Sequence, residues 1–143
     1  MITYFTDGSC SPNPGPGGFA VVKESEWVIV GHEDMTTNIR MEARALIAAL
    51  KDADGKECQI LTDSEFWVNV LTKWARSWER NGWVKRGGEI RNLEIVKEVY
   101  WLYKQSVAEV SWVRGHSGNV QNELADNWAN RAREERLVGK FLL

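Results

Sequence analysis

The order of strand-like and helix-like segments is the feature that most limits how this chain can fold. Apolar runs rich in β-branched and aromatic residues come first and predict three strands, at 2–6, 19–23 and 27–32. Helical periodicity then alternates with two more strand-like runs, giving helices over 40–53, 65–78, 93–105 and 121–136 and strands over 59–62 and 109–114. This order predicts an α/β fold with a five-stranded mixed sheet, antiparallel in its first three strands and flanked by helices. The segment 11–18, which holds all three prolines, is predicted to be irregular.

The composition is that of one globular domain spanning residues 1–143. Hydrophobic residues make up 43% and charged residues 27% of the chain, which excludes a disordered or collagen-like class. The sequence has neither an apolar run long enough to cross a membrane nor a secretory signal, so we expect a cytoplasmic protein without membrane contact. The two cysteines, Cys10 and Cys58, lack the spacing of a structural metal site. We expect a monomer, with no protein partner implied.

Charge is distributed unevenly along the chain. The net charge is −2, yet residues 73–91 include six basic and two acidic side chains. Tryptophans are concentrated in or just before this stretch. A non-specific nucleic-acid binder would usually have a basic surface throughout, which the net charge opposes. A basic patch on an acidic chain is a more specific arrangement of charge than such a surface. Four of the tryptophans are expected to pack in the core: Trp27, Trp67, Trp112 and Trp128.

Two aspartates share one context at the ends of predicted strands. Asp7 lies in Thr-Asp-Gly-Ser and Asp63 in Thr-Asp-Ser. Ligand sites in open α/β sheets collect at the carboxyl ends of strands, so these acids could meet at one edge of the sheet. The alternative is that each is an ordinary turn residue, which is the commoner role of Asp in such a position and is favoured for either residue taken alone.

Glu42 lies on the apolar face of a predicted helix. At 100° per residue, Leu46, Ala49 and Ala53 fall within about 40° of it. A buried carboxylate needs a partner or a metal ion, because its desolvation is otherwise costly. The alternative is a capping-box glutamate that reaches back to Thr37 or Asn38.

Asp126 and His116 are less informative when taken alone. Asp126 borders the apolar stripe of the last helix, and His116 lies in a loop between Gly115 and Gly118, where it could move protons near neutral pH. Four carboxylates brought together would repel one another, and a hard divalent cation such as Mg²⁺ relieves this repulsion. Carboxylate clusters of this kind suit two metal ions acting on a phosphodiester.

Five segments are informative together, and all but the fourth contain one or more of these residues: TDGSCSPNPGPGG at 6–18, TTNIRMEARALIAAL at 36–50, LTDSEFWVNVLTKW at 61–74, NGW at 81–83 and WVRGHSGNVQNELAD at 112–126. In this order and spacing the chain resembles type 1 ribonuclease H, in the form of the bacterial RNase HI catalytic domain. The resemblance implies a ribonuclease H-like fold. It also implies an endonuclease that hydrolyses the RNA strand of RNA/DNA hybrids by a two-metal-ion mechanism, leaving 5′-phosphate and 3′-hydroxyl ends.

The resemblance assigns roles to particular residues. The metal-binding catalytic positions are Asp7, Glu42, Asp63 and Asp126, and His116 is a further catalytic residue. The implied cofactor is Mg²⁺, two ions per site with substrate present, with Mn²⁺ as a substitute. Substrate contacts fall on Asn13 and Asn38 for RNA, Thr37 and Asn92 for a DNA phosphate, and Phe66 and Trp74 for deoxyribose. Residues of about 74–91 resemble the basic handle of bacterial members.

Three positions depart from the family pattern. Ile39 replaces an amide-bearing residue, Glu65 adds a carboxylate beside Asp63, and Met35 stands where some members have an arginine. The handle also carries less net positive charge than strongly basic examples. We therefore expect an active enzyme with weaker substrate binding.

Two other functions remain open from the sequence. Integrases and Holliday-junction nucleases share this sheet and its carboxylate logic, although the contexts of Asp7, Asn38 and His116 favour ribonuclease H. A hybrid-binding protein without catalysis is the second alternative, and the presence of all four carboxylates argues against it.

Overall fold

The computed structural model describes residues 1–114 and 119–143. Its elements, in chain order, are β1 (Ile2–Cys10), β2 (Gly15–Lys23), β3 (Trp27–Thr36), α1 (Asn38–Ala53), β4 (Cys58–Thr62), α2 (Glu65–Asn69), a π-helical turn (Val70–Trp74), α3 (Ala75–Arg80), α4 (Leu93–Lys104), β5 (Ala108–Trp112), α5 (Val120–Glu135) and β6 (Gly139–Leu142). The predicted helix over 65–78 is thus continuous but contains a π-helical turn.

One mixed sheet with the strand order β5-β4-β1-β2-β3-β6 forms the centre of the fold. The predicted antiparallel order of the first three strands is confirmed, and β4 and β5 then add parallel to β1. The predicted count of five strands is wrong, because β6 pairs antiparallel with β3. Phe141 stacks on Trp128 with ring centroids 5.5 Å apart, so β6 is held by residues distant in sequence. Strand β6 has only four residues, which are too few to show the alternation of apolar and polar side chains that predicts a strand.

The interpretation of 11–18 as wholly irregular is also wrong. β1 continues to Cys10 and β2 already begins at Gly15, with Cys10 opposite Gly17. Glycine is disfavoured in strands in general, but here it is required by close packing. A Cβ on Gly17 would lie 2.4 Å from the methyl carbon of Thr36 on the neighbouring strand. Pairing with β1 and β3 therefore outweighs the weak local preference.

Helices cover both faces of the sheet. The larger core lies on the face covered by α1, α4 and the helices that follow β4. The smaller core lies between β-strand residues such as Phe5 and Val28 and the buried alanines of α5, which are Ala125, Ala129 and Ala132. No helix in the two described ranges is long and apolar enough to span a membrane. The two core layers place α1 and α5 on opposite sides of β1, the strand that carries Asp7.

Candidate functional site

Asp7 and Asp63 lie on neighbouring strands at the same level of the sheet. Strands β1 and β4 are parallel and in register at Thr6 and Thr62, so the next residue on each is an aspartate. Asp63 directly follows β4, whereas Asp7 lies within β1, paired with Ala20 and only 4% exposed. The turn interpretation is therefore wrong for Asp7. Adjacent strands are about 4.8 Å apart, which brings the two carboxylates into direct electrostatic contact.

Helix α1 presents Glu42 to this pair because Gly8 lets the helix approach β1. A Cβ on Gly8 would lie 2.4 Å from the backbone nitrogen of Glu42 and 2.7 Å from the carbonyl carbon of Met41. The helix itself begins after Thr37, whose side chain accepts a hydrogen bond from the backbone N–H of Arg40. Glu42 lies beyond that capping turn, so the capping-box alternative is wrong.

Helix α5 brings Asp126 to the other face of β1. A Cβ on Gly18 would lie 2.4 Å from the backbone nitrogen of Arg133, so the helix lies almost directly on β2. The small buried side chains of Ala125 and Ala129 complete this close contact. Asp126, next to Ala125, comes within hydrogen-bonding reach of the Asp7 carboxylate.

The electrostatics of the site are dominated by burial and like charge. Burial, then the charge of Asp63, and then the hydrogen bond and charge of Asp126 together raise the pKa of Asp7 to about 9, against one stabilising hydrogen bond from the Gly8 N–H. Burial also raises the pKa of Glu42 to about 7, with a smaller contribution from the charge of Asp63. A hydrogen bond from Ser64 acts in the opposite direction on Glu42.

The donor chemistry of the four residues fits divalent cations. Hard cations such as Mg²⁺ prefer carboxylate oxygens, and positive charge would relieve the repulsion that raises the pKa of Asp7. Within residues 1–114 and 119–143, no lysine or arginine forms an ion pair with Asp7, Glu42 or Asp126. In the same part of the chain, no three His, Cys, Asp or Glu residues are already grouped tightly enough to hold a metal ion. The acidic residues therefore converge without the tight grouping of a formed metal centre.

Three predicted substrate contacts meet at the start of α1. The side-chain oxygen of Asn13 accepts a hydrogen bond from the backbone N–H of Asn38 at 3.3 Å, and Thr37 caps the same turn. The link between β1 and β2 is thus joined to the helix that carries Glu42. These polar side chains lie at the same end of α1 as the carboxylates.

Asn92 joins this group through Arg40. One guanidinium nitrogen of Arg40 donates to the side-chain oxygen of Asn92 at 3.2 Å and also pairs with Glu94. Asn92 adopts a left-handed conformation with φ of 56° at the start of α4, and its side chain does not cap that helix. Asn92 thus occupies the N-cap position of α4, but its side chain bonds to α1 instead.

The aromatic residues form a row along α2 and α3. Phe66 and Trp74 are partly exposed, with ring centroids 6.0 Å apart, and Trp78 follows Trp74 at 6.1 Å. At 100° per residue, positions 66 and 74 would be about 80° apart on an uninterrupted α-helix. The π-helical turn between them adds about one residue to the turn and so aligns the rings. Ile39 lies beside Phe66 in the wall of a cavity of about 150 Å³.

Two residues near the site have contacts that the sequence analysis did not predict. Ser64, to which the sequence assigned no site role, caps α2 through the Trp67 N–H and also hydrogen-bonds Glu42. Trp112 was expected in the core, yet it is 44% exposed at the end of β5. Its indole N–H donates to the Asp63 carbonyl at 3.2 Å. The signal that could have identified Trp112 is its place at the carboxyl end of a strand. The predicted catalytic residue His116 lies outside the described residues.

Comparison with known proteins identifies the family. A family model described as RNase H matches residues 1–134. The chain belongs to the ribonuclease H family. The Ribonuclease H of Granulibacter bethesdensis is 38% identical over 141 residues, which cover 94% of this chain and 93% of that protein. The Ribonuclease H of Methylorubrum extorquens is 38% identical over 140 residues, but these are 95% of this chain and only 61% of that relative.

A solved structure gives the same result for the fold. The crystal structure of LC9-RNase H1, described as a type 1 RNase H with the type 2 active-site motif, superposes with a TM-score of 0.85. The match has 28% sequence identity and covers 99% of this chain and 76% of that one. The ribonuclease H-like α/β fold and the resemblance to type 1 ribonuclease H are thus confirmed. As a ribonuclease H, the chain is a nuclease of the hydrolase class, and its family cleaves the RNA of RNA/DNA hybrids.

Proposed function

We propose that this chain hydrolyses the RNA strand of RNA/DNA hybrids by a two-metal-ion mechanism, leaving 5′-phosphate and 3′-hydroxyl ends. The observation that carries the proposal is a connected group of four carboxylates, in which Asp63 and Asp126 act on the buried Asp7 and Asp63 also acts on Glu42. A buried acid whose pKa is raised by two neighbouring acids is an unfavourable arrangement in a protein that binds no cation. Such an arrangement is expected where a divalent cation and a phosphodiester are to be bound together.

Asp7, Glu42, Asp63 and Asp126 are the residues that would hold the cations. Bound Mg²⁺ would supply an activated water and stabilise the negative charge that develops on the departing 3′-oxygen. The chain's own contribution is to hold these carboxylates at fixed positions on β1, on the turn after β4 and on helices α1 and α5. His116 is proposed to assist proton transfer. Mn²⁺ is proposed as a substitute because it accepts the same oxygen ligands.

Substrate selection is proposed to depend on two groups of side chains. Asn13 and Asn38, joined by a hydrogen bond, supply amide groups that can bind a 2′-hydroxyl, the group that distinguishes RNA from DNA. Phe66 and Trp74 offer ring surfaces against which a sugar without that hydroxyl can pack. Together these groups require RNA on one strand and DNA on the other.

Thr37 and Asn92 are proposed to bind a phosphate of the DNA strand. Arg40 connects the elements that carry them, which fixes the distance between the two side chains. Arg40 is itself paired with Glu94, so the local positive charge is partly neutralised. Ile39 directs an apolar side chain to the cavity beside Phe66 and cannot donate a hydrogen bond to RNA. Both features support the expectation of weaker hybrid binding than in family members with an amide at position 39.

The whole described chain is proposed to form one catalytic domain with a basic handle at about 74–91. Six cations of residues 73–91 have exposed side chains: Lys73, Arg76, Arg80, Lys85, Arg86 and Arg91. An ion pair between Glu79 and Lys104 at 2.7 Å ties α3 to α4 at the base of this segment. The exposed cations can attract a phosphate backbone, which makes the affinity dependent on salt.

The deciding experiment is a cleavage assay with end-labelled RNA. The RNA is tested paired to DNA, paired to RNA, single-stranded, and as one ribonucleotide within duplex DNA, each with Mg²⁺, Mn²⁺ or a chelator. We expect metal-dependent cleavage of the hybrid alone, with products that a 5′-phosphate-dependent exonuclease degrades. Asp63→Asn should bind the hybrid without cleaving it.

Other outcomes would change the conclusion. Binding of the hybrid without cleavage by the wild-type chain, in any metal, would make this a hybrid-binding protein. Cleavage of a four-way junction in preference to the hybrid would assign the chain to the junction nucleases that share this sheet.

A further inference from the structure

The ladder between β4 and β5 does not stop where the backbone pairing stops. The two strands are parallel and in register up to Thr62 and Trp112, and the last backbone bond runs from the Val113 N–H to the Thr62 carbonyl at 2.8 Å. The next carbonyl along β4 is that of Asp63. It accepts its hydrogen bond from the Trp112 indole at 3.2 Å. The side chain thus extends the ladder by one residue, to the residue that bears the catalytic carboxylate.

Two other hydrogen bonds at the Asp63 turn are local. The Ser64 N–H donates to the Thr62 hydroxyl at 3.0 Å, and the Trp67 N–H donates to the Ser64 hydroxyl at 3.3 Å. Both bonds join residues within 62–67, so they shape the turn but do not connect it to β5. The bond from Trp112 comes from a residue 49 positions away in sequence. It therefore ties the turn to the sheet as a whole.

Burial does not explain a tryptophan at position 112. Trp67, on the neighbouring helix α2, is 0% exposed and contributes to the core, whereas Trp112 is 44% exposed. A large apolar side chain left this open to water contributes less burial than its size allows. Its N–H donor and its place at the carboxyl end of β5 are the properties that the site can use.

Asp63 is the carboxylate whose position affects two others. Its charge acts on both Asp7 and Glu42, and Glu42 also hydrogen-bonds Ser64, the next residue of the same turn. A small displacement of the turn would therefore change the distances among three of the four acids at once. Groups that orient metal-binding side chains from behind commonly affect metal affinity and activity strongly.

We propose that Trp112 is a positioning residue, which aims the Asp63 carboxylate at Asp7 and Glu42 by holding the Asp63 carbonyl through its indole N–H. The catalytic consequence rests on the proposed function. The structural part of the proposal, restraint of the 62–67 turn, does not depend on it.

The test compares Trp112→Phe with wild type in the hybrid-cleavage assay. The variant retains an aromatic ring but cannot donate the hydrogen bond. We expect kcat to fall and the Mg²⁺ concentration for half-maximal activity to rise, each by roughly tenfold. KM for the hybrid should stay within about twofold, because Trp112 is not among the residues assigned to substrate contact.

The matched control is Trp101→Phe, the same exchange at another exposed tryptophan, on α4. A second variant carries 3-benzothienylalanine at position 112, which keeps the two-ring shape and lacks only the N–H donor. It should reproduce the loss in kcat even if the smaller phenylalanine lowers overall stability. Wild-type kcat and Mg²⁺ dependence in the benzothienylalanine protein, or a loss confined to KM, would overturn the proposal.

Hydrogen exchange in the metal-free protein supplies a readout without catalysis. Amides of residues 63–67 should exchange faster in both position-112 variants than in wild type and in Trp101→Phe. Unchanged exchange there would contradict the structural part of the proposal. If wild type itself cleaves no hybrid, the proposed function fails, and the exchange measurement alone decides whether Trp112 restrains the turn.

Discussion

Asp7 differs from the other three carboxylates in how completely it is removed from water. It is the only one of the four that is buried, and its pKa is raised to about 9 by burial first and by the charges of Asp63 and Asp126 next. A group with this environment opposes folding when it is ionised. Bound metal ions would reverse the sign of that contribution, because positive charge favours the ionised form.

Asp7→Asn is therefore predicted to stabilise the metal-free protein while abolishing cleavage. Since the folded-state pKa of about 9 exceeds the ordinary value of 3.8, ionisation of Asp7 costs stability that grows as pH rises from about 4 towards 9. At pH 8 the variant should have a Tm higher than wild type by about 5 °C. Thermal unfolding across pH 5–9, with a chelator present, measures this difference.

Addition of Mg²⁺ provides the complementary measurement. Millimolar Mg²⁺ should raise the Tm of wild type but not that of Asp7→Asn, because a ligand that binds only the folded state stabilises it. The matched control is Asp54→Asn, an exposed residue in a left-handed conformation that asparagine also tolerates. In the pH series with a chelator, equal Tm values for wild type and Asp7→Asn from pH 5 to pH 9 would contradict the electrostatic account of the site.

Elements reach the site because small residues let them lie close to β1 and β2. Gly8 admits the backbone of α1, and Gly18 admits the backbone of α5, each to within 2.4 Å of the position a Cβ would occupy. Both contacts are with backbone atoms, which cannot rotate out of the way. The distance from each helix to the sheet, and so the reach of Glu42 and Asp126, depends on these two positions.

Gly8→Ala is predicted to destabilise the protein by about 2 kcal/mol and to abolish cleavage, because the added methyl must push α1 away from β1. Denaturant unfolding and the hybrid assay measure the two effects. Gly31→Ala is the control, since there the nearest atoms belong to the Phe19 side chain, which can move. Full activity in Gly8→Ala would show that the reach of Glu42 does not depend on this contact.

Strand β6 contributes to stability from the far edge of the sheet. It is the third strand from β1 and pairs with β3. Its residue Phe141 stacks on Trp128, and Lys140 lies over the ring of Trp27 at 4.2 Å. These contacts bury apolar surface without approaching the carboxylates. Its structural role is therefore separable from the site.

Deletion of residues 139–143 is predicted to lower the free energy of unfolding by about 2 kcal/mol, mainly through lost aromatic burial. kcat and KM should remain at wild-type values at a temperature where the shortened protein is folded. Leu142→Ser, at a position 87% exposed, is the control and should leave stability nearly unchanged. A loss of kcat on deletion would link this edge to the site and contradict the separation.

The whole molecule combines an acidic surface with a basic segment. The net charge is −2, whereas residues 73–91 carry six cations, all exposed. We therefore expect long-range attraction of a hybrid to be concentrated on the proposed handle, while the acidic remainder repels it. We expect this charge distribution to orient the substrate during approach.

Lys85→Gln combined with Arg86→Gln is predicted to weaken hybrid binding and to reduce the slope of log affinity against log salt by about one to two. kcat should be unaffected, because neither residue is among those that would hold the metal ions. The control is Lys56→Gln, an exposed lysine that precedes β4, at the end of that strand opposite Asp63. An equal change of slope in the control would mean that attraction is not localised on the handle.

Sequence periodicity was sufficient for much of the fold and for the inward direction of Glu42, whereas the set of four acidic residues was assigned through the resemblance to type 1 ribonuclease H. Helical and strand periods are local properties, so the order of elements and the inward direction of Glu42 follow from residues within a few turns of one another. Its predicted apolar neighbours, Leu46, Ala49 and Ala53, are indeed buried. The charge of 73–91 is likewise a property of composition alone.

Tertiary contacts decided the remaining features, because they depend on residues far apart in the chain. Asp7 lies inside β1 since pairing with β2 carries the strand on to Cys10, and β6 forms only because β3 offers it an edge. Ser64 reaches Glu42, and Trp112 reaches the Asp63 carbonyl, only after the register of β4 with β5 is set. Local sequence contains the chemistry of each side chain, but the distance between two side chains is a property of how the elements pack.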